Sequence, residues 1–285
     1  MTSILILNYN GKEHVERCLL ALRAFTDVAY ELIVIDNGST DGSQEFLRAA
    51  DAPNITLVEN PENIGCPPAR AQGMALADGD YIVFLDNDTV VTAGWLSRLI
   101  QHCENNPAIG MLGPSTNYIS GPQMIPGVMY ETTPELVHIA ATMATHFEGM
   151  LQPTTRLVGF CMFIRRAVVE KIGSCDPRFG KYGFEDDDYS IRAILAGFEL
   201  RIARDVFIHH LGSRGQVDGG LDYSSLVREA WSVFQGKWGI PADMEFDAYG
   251  SDRPLHLPYR PFDPALDYIA LPDRADIEPF ITRRP

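Results

Sequence analysis

The stretch FLDNDT, residues 84–89, places two carboxylates, Asp86 and Asp88, directly after the apolar run Tyr81–Leu85. Two negative charges this close repel each other, and each loses hydration where it is partly buried. Asp and Asn are common in turns that face water, so a surface turn is one interpretation. The other is a site for Mg²⁺ or Mn²⁺, which prefer carboxylate oxygens and substrate phosphates as ligands and can neutralise a departing phosphate.

A second acidic stretch, Glu185-Asp186-Asp187-Asp188, stands just before a helical pattern. Acids in the first turn of a helix are favoured by the helix dipole, which explains part of this run. Carboxylates that crowd one another also have raised pKa values, as a general base working near neutral pH requires. We therefore expect at least one of the four acids to face a cleft.

Two adjacent histidines, His209 and His210, end a short apolar segment. A histidine at a strand end is usually structural, and neighbours on a strand point to opposite sides. At most one of the two can therefore face a shared site, where it could ligate a metal held by Asp88. Upstream, the turn at residues 60–65 leads into a helix that carries Arg70, and the helix N-terminus with this arginine could meet a phosphate.

The overall charge restricts the partners. The chain has 38 acidic and 23 basic residues among 285, a formal net charge of −15, so its surface repels nucleic acid and anionic lipids. No apolar run is long enough to span a bilayer. The five cysteines lack metal-type spacing and are expected to be reduced thiols. We expect a cytoplasmic protein, free or peripheral to the inner face of the membrane.

The elements that must position these residues alternate along the first hundred residues. Strand-like runs are predicted at Ser3–Leu7, Tyr30–Ile35, Ile55–Val58 and Tyr81–Leu85, with helical patterns between them. Nearly continuous apolar strands in this order predict an α/β fold with a parallel sheet covered on both faces. Ligands bind beyond the carboxyl ends of such strands, so the polar clusters that follow the strands should converge on one rim.

The second half is organised differently. Residues 113–156 are rich in Gly, Pro, Thr and Met, and are predicted to be a loop-rich segment with a helix at Pro134–Ala144, near an acceptor site. A strand is predicted at Leu157–Arg165 and a helix at Leu226–Trp238. From residue 241 the chain is predicted to be an extended arm that wraps the domain or a partner subunit, with aromatic residues able to support a homodimer. These aromatics are Tyr249, Tyr259, Phe262, Tyr268 and Phe280.

Several chemistries are not supported by motifs. The chain has no G-x-x-x-x-G-K-[ST] and no G-x-G-x-x-G, which argues against NTP hydrolysis and dinucleotide redox. It has no G-x-S-x-G, which argues against a serine hydrolase of the common α/β type.

The order of the motifs is more informative than any one of them. LNYNG, IVIDNGSTDGS, NPENIGCPPARAQG, YIVFLDNDT, GFCMFIRR, FGKYGFEDDDYSIR and IHHLGS follow one another along residues 3–215. In this order the chain resembles the family 2 glycosyltransferases of the GT-A fold, especially their bacterial rhamnosyltransferase-like branch. The resemblance implies a GT-A domain over residues 1–240, with a nucleotide-binding half (1–112) and an acceptor and catalytic half (113–240), followed by the arm at 241–285.

The resemblance also implies a nucleotide-sugar site. Asp36 would hydrogen-bond the base, and Asp86 would face the ribose or the sugar. The other residues implied for this site are Asn8, Asn10, Asn63, Gly65, Arg70 and Asn87.

At the reaction centre the resemblance implies a metal site and a base. Asp88 would be the direct ligand of Mn²⁺ or Mg²⁺, with His210, or alternatively His209, as a further ligand. Asp186 would be the catalytic base, with Glu185 beside it, although the run of acids leaves the choice among its first three members (185–187) open.

The implied activity is inverting, metal-dependent transfer of a sugar from a UDP- or dTDP-linked donor to a hydroxyl of a carbohydrate, lipid-linked or protein acceptor. The alternatives are an inactive nucleotide-sugar-binding protein of the same fold, a nucleotidyltransferase and a purely structural protein. LNYNGKEH lacks the Gly-rich basic signature of nucleotidyltransferases, and a structural role does not explain why polar clusters follow successive strands.

Overall fold

The computed structural model describes residues 1–52, 54–212, 223–244 and 260–285. The strands in these ranges are β1 (Thr2–Asn8), β2 (Tyr30–Asp36), β3 (Ile55–Glu59), β4 (Tyr81–Asp86), β5 (Thr89–Val90), β6 (Ile109–Ser115), β7 (Leu151–Thr154), β8 (Cys161–Arg165), β9 (Glu199–Phe207), β10 (His209–His210) and β11 (Ile281–Arg283). The helices are α1 (Lys12–Phe25), α2 (Ser43–Ala49), α3 (Cys66–Leu76), α4 (Trp95–Asn105), α5 (Thr133–His146), α6 (Arg166–Ile172), α7 (Glu185–Leu195), α8 (Tyr223–Trp238), α9 (Pro264–Asp267) and α10 (Arg274–Ile277).

One large sheet organises the chain, in the order β11-β3-β2-β1-β4-β8-β6-β9-β7. Strands β3, β2, β1 and β4 are mutually parallel, as are β6 and β9, whereas β8 runs antiparallel between β4 and β6. Apolar clusters cover both faces of the sheet, which explains why its strands read as nearly continuous apolar runs. The predicted α/β fold with a mainly parallel central sheet is confirmed.

The register of the parallel strands brings their polar ends together. Asn8 pairs with Asp36 on one side, and Leu7 pairs with Asp86 on the other. Because the three strands are parallel and in register, the side chains that follow them share one edge of the sheet. The convergence expected from the sequence is therefore present.

Several elements of the second half differ from the prediction. The predicted strand at Leu157–Arg165 begins only at Cys161, and residues 157–160 form a loop at the rim of the sheet. Most of strand β9 was not predicted, because its charged residues interrupt the apolar pattern. One of these residues, Asp205, is buried beside His102. Strand β6 (IGMLGPS) is fully buried, but its two glycines and its proline are typical of a loop.

One helix predicted for this half is present in the structure. The helix predicted within residues 113–156 is α5, which begins with a capping box between Thr132 and Glu135. All five cysteines are buried free thiols. No helix among the described ranges is both long and apolar enough to cross a membrane.

The described end of the chain, residues 260–285, packs on its own domain. Strand β11 adds to the sheet edge antiparallel to β3, and Ile269 forms a bridge with Gly173. Tyr249 and Tyr259, which were expected to support a homodimer, lie outside the described residues. The homodimer and the division into halves stay predictions.

We predict that Gly173→Ala loosens this attachment of the C-terminal segment. Gly173 has φ +75°, and a Cβ there would lie 1.8 Å from the carbonyl oxygen of Ile269, an impossible contact with backbone. Left-handed strain and the clash together should lower the free energy of unfolding by about 3–4 kcal/mol, measured by urea denaturation. The matched control is Gly197→Ala, which has a similar φ of +93° but open space around its Cβ, and should cost only about 1–2 kcal/mol. Equal losses for the two variants would contradict the prediction.

Candidate active site

A cavity of about 150 Å³ opens at the carboxyl ends of β1 and β4. It is bounded by the loops after these strands, the first turns of α3 and α7, and the loop before β8. Its lining residues are Leu7, Tyr9, Asn37, Asn63, Cys66, Arg70, Asp86, Asn87, Asp88, Ile119, Val158, Gly159, Phe160, Lys181, Tyr182, Glu185, Asp186 and His210. Both acidic stretches singled out in the sequence therefore reach the same cavity.

Asp86, Asp88 and His210 form one cluster, in which one potential ligand atom of each residue lies within 4.8 Å of the others. The two-stranded ribbon of β5 and β10 produces this arrangement, because it pairs His210 with Thr89, the residue after Asp88. His210 Nε2 lies 3.2 Å from Asp88 Oδ1 and 4.0 Å from Asp86 Oδ2. The imidazole is stacked on Phe160 at a centroid distance of 5.2 Å, which fixes its plane.

The other nitrogen of His210 is already used. Nδ1 lies 2.8 Å from the carbonyl oxygen of Tyr118 and must donate to it, since a carbonyl only accepts. Nε2 is thereby directed at the aspartates, as in a histidine oriented for metal ligation. Burial alone would lower the pKa of His210, but the hydrogen bond and charge of Asp88 raise it. A divalent cation would take the place of the proton shared there, so this set of ligands fits Mn²⁺ or Mg²⁺.

His209 faces the opposite side of the ribbon. Its Nδ1 is hydrogen-bonded to the hydroxyl of Tyr130, and the two rings are 5.4 Å apart. Burial lowers the pKa of His209. The structure thus brings His210 to the two aspartates and places the alternative candidate elsewhere, as alternation along a strand requires.

Arg70 lies beneath the cavity and holds the two acidic stretches together. Its guanidinium is buried, 3.1 Å from Glu185 Oε1 and 3.4 Å from Asp86 Oδ1, and it donates to the carbonyl of Gly159 at 2.9 Å. The planar group also lies over the ring of Phe84. Burial raises the pKa of Asp86 to about 6, although Arg70 opposes the shift. A phosphate would have to compete with these partners for the guanidinium of Arg70, which was predicted to contact it.

The four acids at the start of α7 point in four directions. Glu185 is buried and accepts from Arg70 and from the amide of Gly183, whereas Asp187 is paired with Arg156 at 2.5 Å. Burial raises the pKa of Asp187 to about 7, against the opposing effect of Arg156. Asp188, which is fully buried, is bound by a salt bridge 2.8 Å from Arg192. The remaining acid, Asp186, has a different environment.

Asp186 is the half-buried member of the run and lines the cavity. Its Oδ2 accepts from the amide of Gly159 at 2.9 Å and its Oδ1 from the amide of Asp187. No cationic side chain is paired with it in the part of the chain that the structure describes. These two backbone bonds hold the carboxylate in place while leaving lone pairs for a proton.

Four residues predicted to bind the nucleotide do not line the cavity. Asn8 and Asp36 are buried and do not line the cavity; the amide of Asn8 donates to Asp36 Oδ2 at 2.9 Å, and Asn87 donates to Asn8 Oδ1 at 2.7 Å. Asn10 and Gly65 are also absent from the cavity lining, and Asn10 accepts from the amide of Thr40. The structure therefore shows a connected network of polar side chains behind the cavity wall.

Several lining residues were not assigned a role from sequence. Tyr9 and Asn37 adjoin the polar clusters after β1 and β2, so their position gave a signal. Lys181 and Tyr182 precede the acidic run in the motif FGKYG. Ile119 belongs to the loop-rich segment predicted to lie near an acceptor site, and Val158 to the loop before β8; neither residue was singled out by a motif.

The sequence was compared with known families and proteins. The family described as Glycosyl transferase family 2 matches residues 3–173 of this chain, more than half of its length. The chain belongs to this family. The prediction of a family 2 glycosyltransferase is confirmed, although α7 and β10 lie beyond the matched residues.

Individual relatives agree with the family. The chain is 27% identical over 222 residues to glycosyltransferase AglE of Haloferax volcanii, covering 73% of this chain and 66% of the relative. It is 24% identical over 232 residues to the N-acetylglucosaminyl-diphospho-decaprenol L-rhamnosyltransferase of Mycobacterium tuberculosis, covering 73% of this chain and 75% of that protein.

The fold has solved counterparts. A mannosyltransferase from Pyrobaculum calidifontis, determined in complex with GDP-Man and Mn²⁺, superposes with a TM-score of 0.56 at 19% identity, covering 75% of this chain and 58% of that one. At this identity the match concerns the fold alone, and it confirms the predicted GT-A architecture.

We predict that His210→Ala weakens Mn²⁺ binding by at least about tenfold, because it removes the imidazole aimed at the two aspartates. His209→Ala is the matched control and should leave the affinity unchanged, since that ring faces Tyr130. Titration followed by electron paramagnetic resonance of free Mn²⁺, with and without UDP, measures the difference. Equal behaviour of the two variants would refute the assignment.

We also predict a pH dependence of stability that originates at Asp187. Because folding raises the pKa of its carboxyl from 3.8 to about 7, the folded protein holds a proton that the unfolded chain releases. The stabilisation is complete below pH 3.8 and is lost as the pH rises through 7, with a slope of up to about 1.4 kcal/mol per pH unit. Urea denaturation between about pH 4.5 and 7.5, which covers the upper part of this range, should show a flatter profile for Asp187→Asn than for the wild type.

The control for this experiment is Glu104→Gln, which removes an acid from the exposed surface of α4. It should keep the wild-type profile. An unchanged slope in Asp187→Asn would show that another group carries the pH dependence.

Proposed function

We propose that this protein transfers a sugar from a nucleoside diphosphate sugar to an acceptor hydroxyl, in a metal-dependent reaction that inverts the anomeric centre. The observation that carries the proposal is the position of Asp186 and of the cluster Asp86, Asp88 and His210 in the walls of one cavity. A base and a cation site are the two functions that such a displacement needs.

Asp186 is the base that the geometry favours among the three acids left open by the sequence. Asp187 does not line the cavity and is paired with Arg156, and Glu185 is buried against Arg70. A general base must reach the proton that it removes. Asp186 alone of the three lines the cavity without a cationic partner among the described residues.

The cation site would be formed by Asp88, His210 and Asp86. When bound there, Mn²⁺ or Mg²⁺ supplies positive charge to the departing diphosphate. The mannosyltransferase of the same fold was determined with Mn²⁺, which supports the choice of metal. The role of the protein is to hold the two carboxylates and Nε2 in place, through Arg70 and through the carbonyl of Tyr118.

The residues then act in one displacement. Asp186 accepts the proton of the acceptor hydroxyl, the hydroxyl oxygen forms a bond to the anomeric carbon, and the bond from that carbon to the diphosphate oxygen breaks. The electron pair leaves with the nucleoside diphosphate. Because a single base on one side of the sugar drives a direct attack, the configuration at the anomeric carbon inverts.

The donor we propose is UDP- or dTDP-linked, in keeping with the similarity to a rhamnosyltransferase. The acceptor we propose is a hydroxyl of a carbohydrate, of a lipid-linked molecule or of a protein. An inactive binding protein of the same fold is the second candidate, but it would have no use for the accessible carboxylate of Asp186.

A thermal stability panel tests the proposal. UDP, dTDP and GDP, each with and without Mn²⁺, are added to the protein and the midpoint of unfolding is measured. A nucleotide that binds only the folded state raises the midpoint, and we expect this rise to require Mn²⁺ for the correct nucleotide. The absence of a response to every nucleotide would overturn the proposal.

We predict that Asp186→Asn lowers kcat by about 10²–10⁴-fold, the usual contribution of a general base, and leaves nucleotide binding intact. Asp187→Asn, one residue further along and directed at Arg156, is the matched control and should retain activity within about tenfold. Release of nucleoside diphosphate in the presence of acceptor measures both. Turnover that survives in Asp186→Asn would move the base to another residue.

A further inference from the structure

The two groups predicted to bind phosphate, Arg70 and the N-terminus of α3, already have hydrogen-bond or ion-pair partners within the protein. Arg70 is surrounded by Glu185, Asp86 and the carbonyl of Gly159 at 2.9–3.4 Å. A guanidinium that neutralises two buried carboxylates cannot leave them without exposing uncompensated charge. Arg70 is therefore a poor partner for a diphosphate.

The N-terminus of α3 offers no free amide either. The amide of Cys66 donates to the carbonyl of Lys181 at 2.8 Å, the next two residues are prolines, and the amide of Ala69 donates to the carbonyl of Gly65 at 3.3 Å. Anions bind helix N-termini through unpaired amides. The first turn of α3 has no unpaired amide, so this helix N-terminus does not offer the phosphate contact that the sequence predicted.

Lys181 is the remaining cation in the cavity wall. Its side chain is exposed at the rim and lines the cavity. The other two cationic groups of the lining, Arg70 and His210, are bonded to carboxylates. None of the ion pairs in the described ranges involves the Lys181 ammonium, which leaves its three N–H donors to solvent or to a ligand.

The backbone of Lys181 is fixed although its side chain is exposed. Besides the bond from Cys66, the preceding Gly180 packs against Gly65, where an added Cβ would lie 2.4 Å from the Gly180 carbonyl oxygen. Three residues later the ring of Phe184 packs 5.2 Å from that of Trp231 in α8. A flexible side chain on an anchored backbone samples a limited volume over the cavity mouth, which lowers the entropy lost on binding.

We propose that Lys181 binds the diphosphate of the nucleotide donor. This inference rests on the proposed function. Asp86, Asp88, Glu185 and Asp186 make the cavity wall strongly acidic, so an anionic ligand needs positive charge from the protein besides the divalent cation. Lys181 supplies a compact, mobile charge of the kind that binds phosphate, and it belongs to the segment whose backbone is bonded to the first residue of α3.

The experiment compares binding of a nucleoside diphosphate with binding of the matching nucleoside, in the presence and absence of Mn²⁺. The nucleotide is the one that stabilises the wild type in the thermal panel. Lys181→Met removes the charge but keeps an unbranched side chain, one atom shorter, and the backbone bond to Cys66. We expect an approximately tenfold weaker affinity for the diphosphate and an unchanged affinity for the nucleoside, measured by calorimetry.

Two further variants sharpen the result. Lys181→Arg keeps the charge and should keep most of the affinity. Lys171→Met removes an exposed lysine of α6 that lies over the ring of Phe262, away from the cavity, and should leave binding unchanged. The affinity of the wild type should also fall more steeply with salt than that of Lys181→Met, because one phosphate contact is missing in the variant.

The possible outcomes distinguish the assignment of Lys181 from the proposed function. If Lys181→Met binds the diphosphate like the wild type, the assignment of Lys181 is overturned while the proposed function stands. An equal loss of affinity for the diphosphate and for the nucleoside would also overturn it, because the substitution would then affect the structure of the pocket and not a contact with the diphosphate. A raised KM for the acceptor with unchanged nucleotide binding would place Lys181 at the acceptor and overturn the donor assignment. Failure of the wild type to bind any nucleotide would instead overturn the proposed function itself.

Discussion

Repulsion among carboxylates at one edge of the sheet is the constraint on which the rest of the site depends. Asp86, Asp88, Glu185 and Asp186 share a small cavity, and burial makes their charges costly. The fold offsets this cost by giving every acid a partner, although two of the acids share one. Arg70 lies between Asp86 and Glu185, the imidazole on β10 faces Asp88, and backbone amides hold Asp186. The carboxylates still outnumber the basic side chains of the lining, Arg70, Lys181 and His210, and this excess of acid favours the binding of a cation.

The same constraint explains why the first half of the chain was predictable. Parallel strands buried on both faces must be apolar, so their ends are marked by the first polar residues that follow. Asn8, Asp36 and Asp86 could therefore be placed on one rim from sequence, and the strand register confirms their proximity. Their separate functions could not be predicted in this way. Asn8 and Asp36 are buried in a polar network behind the wall, and only the packing decides which member of such a cluster faces the cavity.

The strands of the second half were harder to predict, because they are not the continuous apolar runs on which the prediction relied. Strand β9 contains charged residues that are satisfied by tertiary partners, such as Asp205 with His102, and β6 contains glycine and proline. Sequence could narrow the base to three acids but not choose among them. The proposed choice depends on Arg156, which lies just before the motif GFCMFIRR but was given no role from sequence. Arg156 is paired with Asp187, whereas Asp186 lines the cavity.

The ribbon of β5 and β10 has a consequence for how the protein folds. It joins residue 89 to residue 210, so the cluster of two aspartates and a histidine closes a very long loop of chain. Contacts of this kind form late, after the entropy of bringing distant segments together has been offset elsewhere. The parallel strands β3, β2, β1 and β4 can therefore be paired while the cluster of Asp86, Asp88 and His210 is still unassembled. A fragment ending near residue 173 would contain all the residues that match its family and would still lack Asp186 and His210.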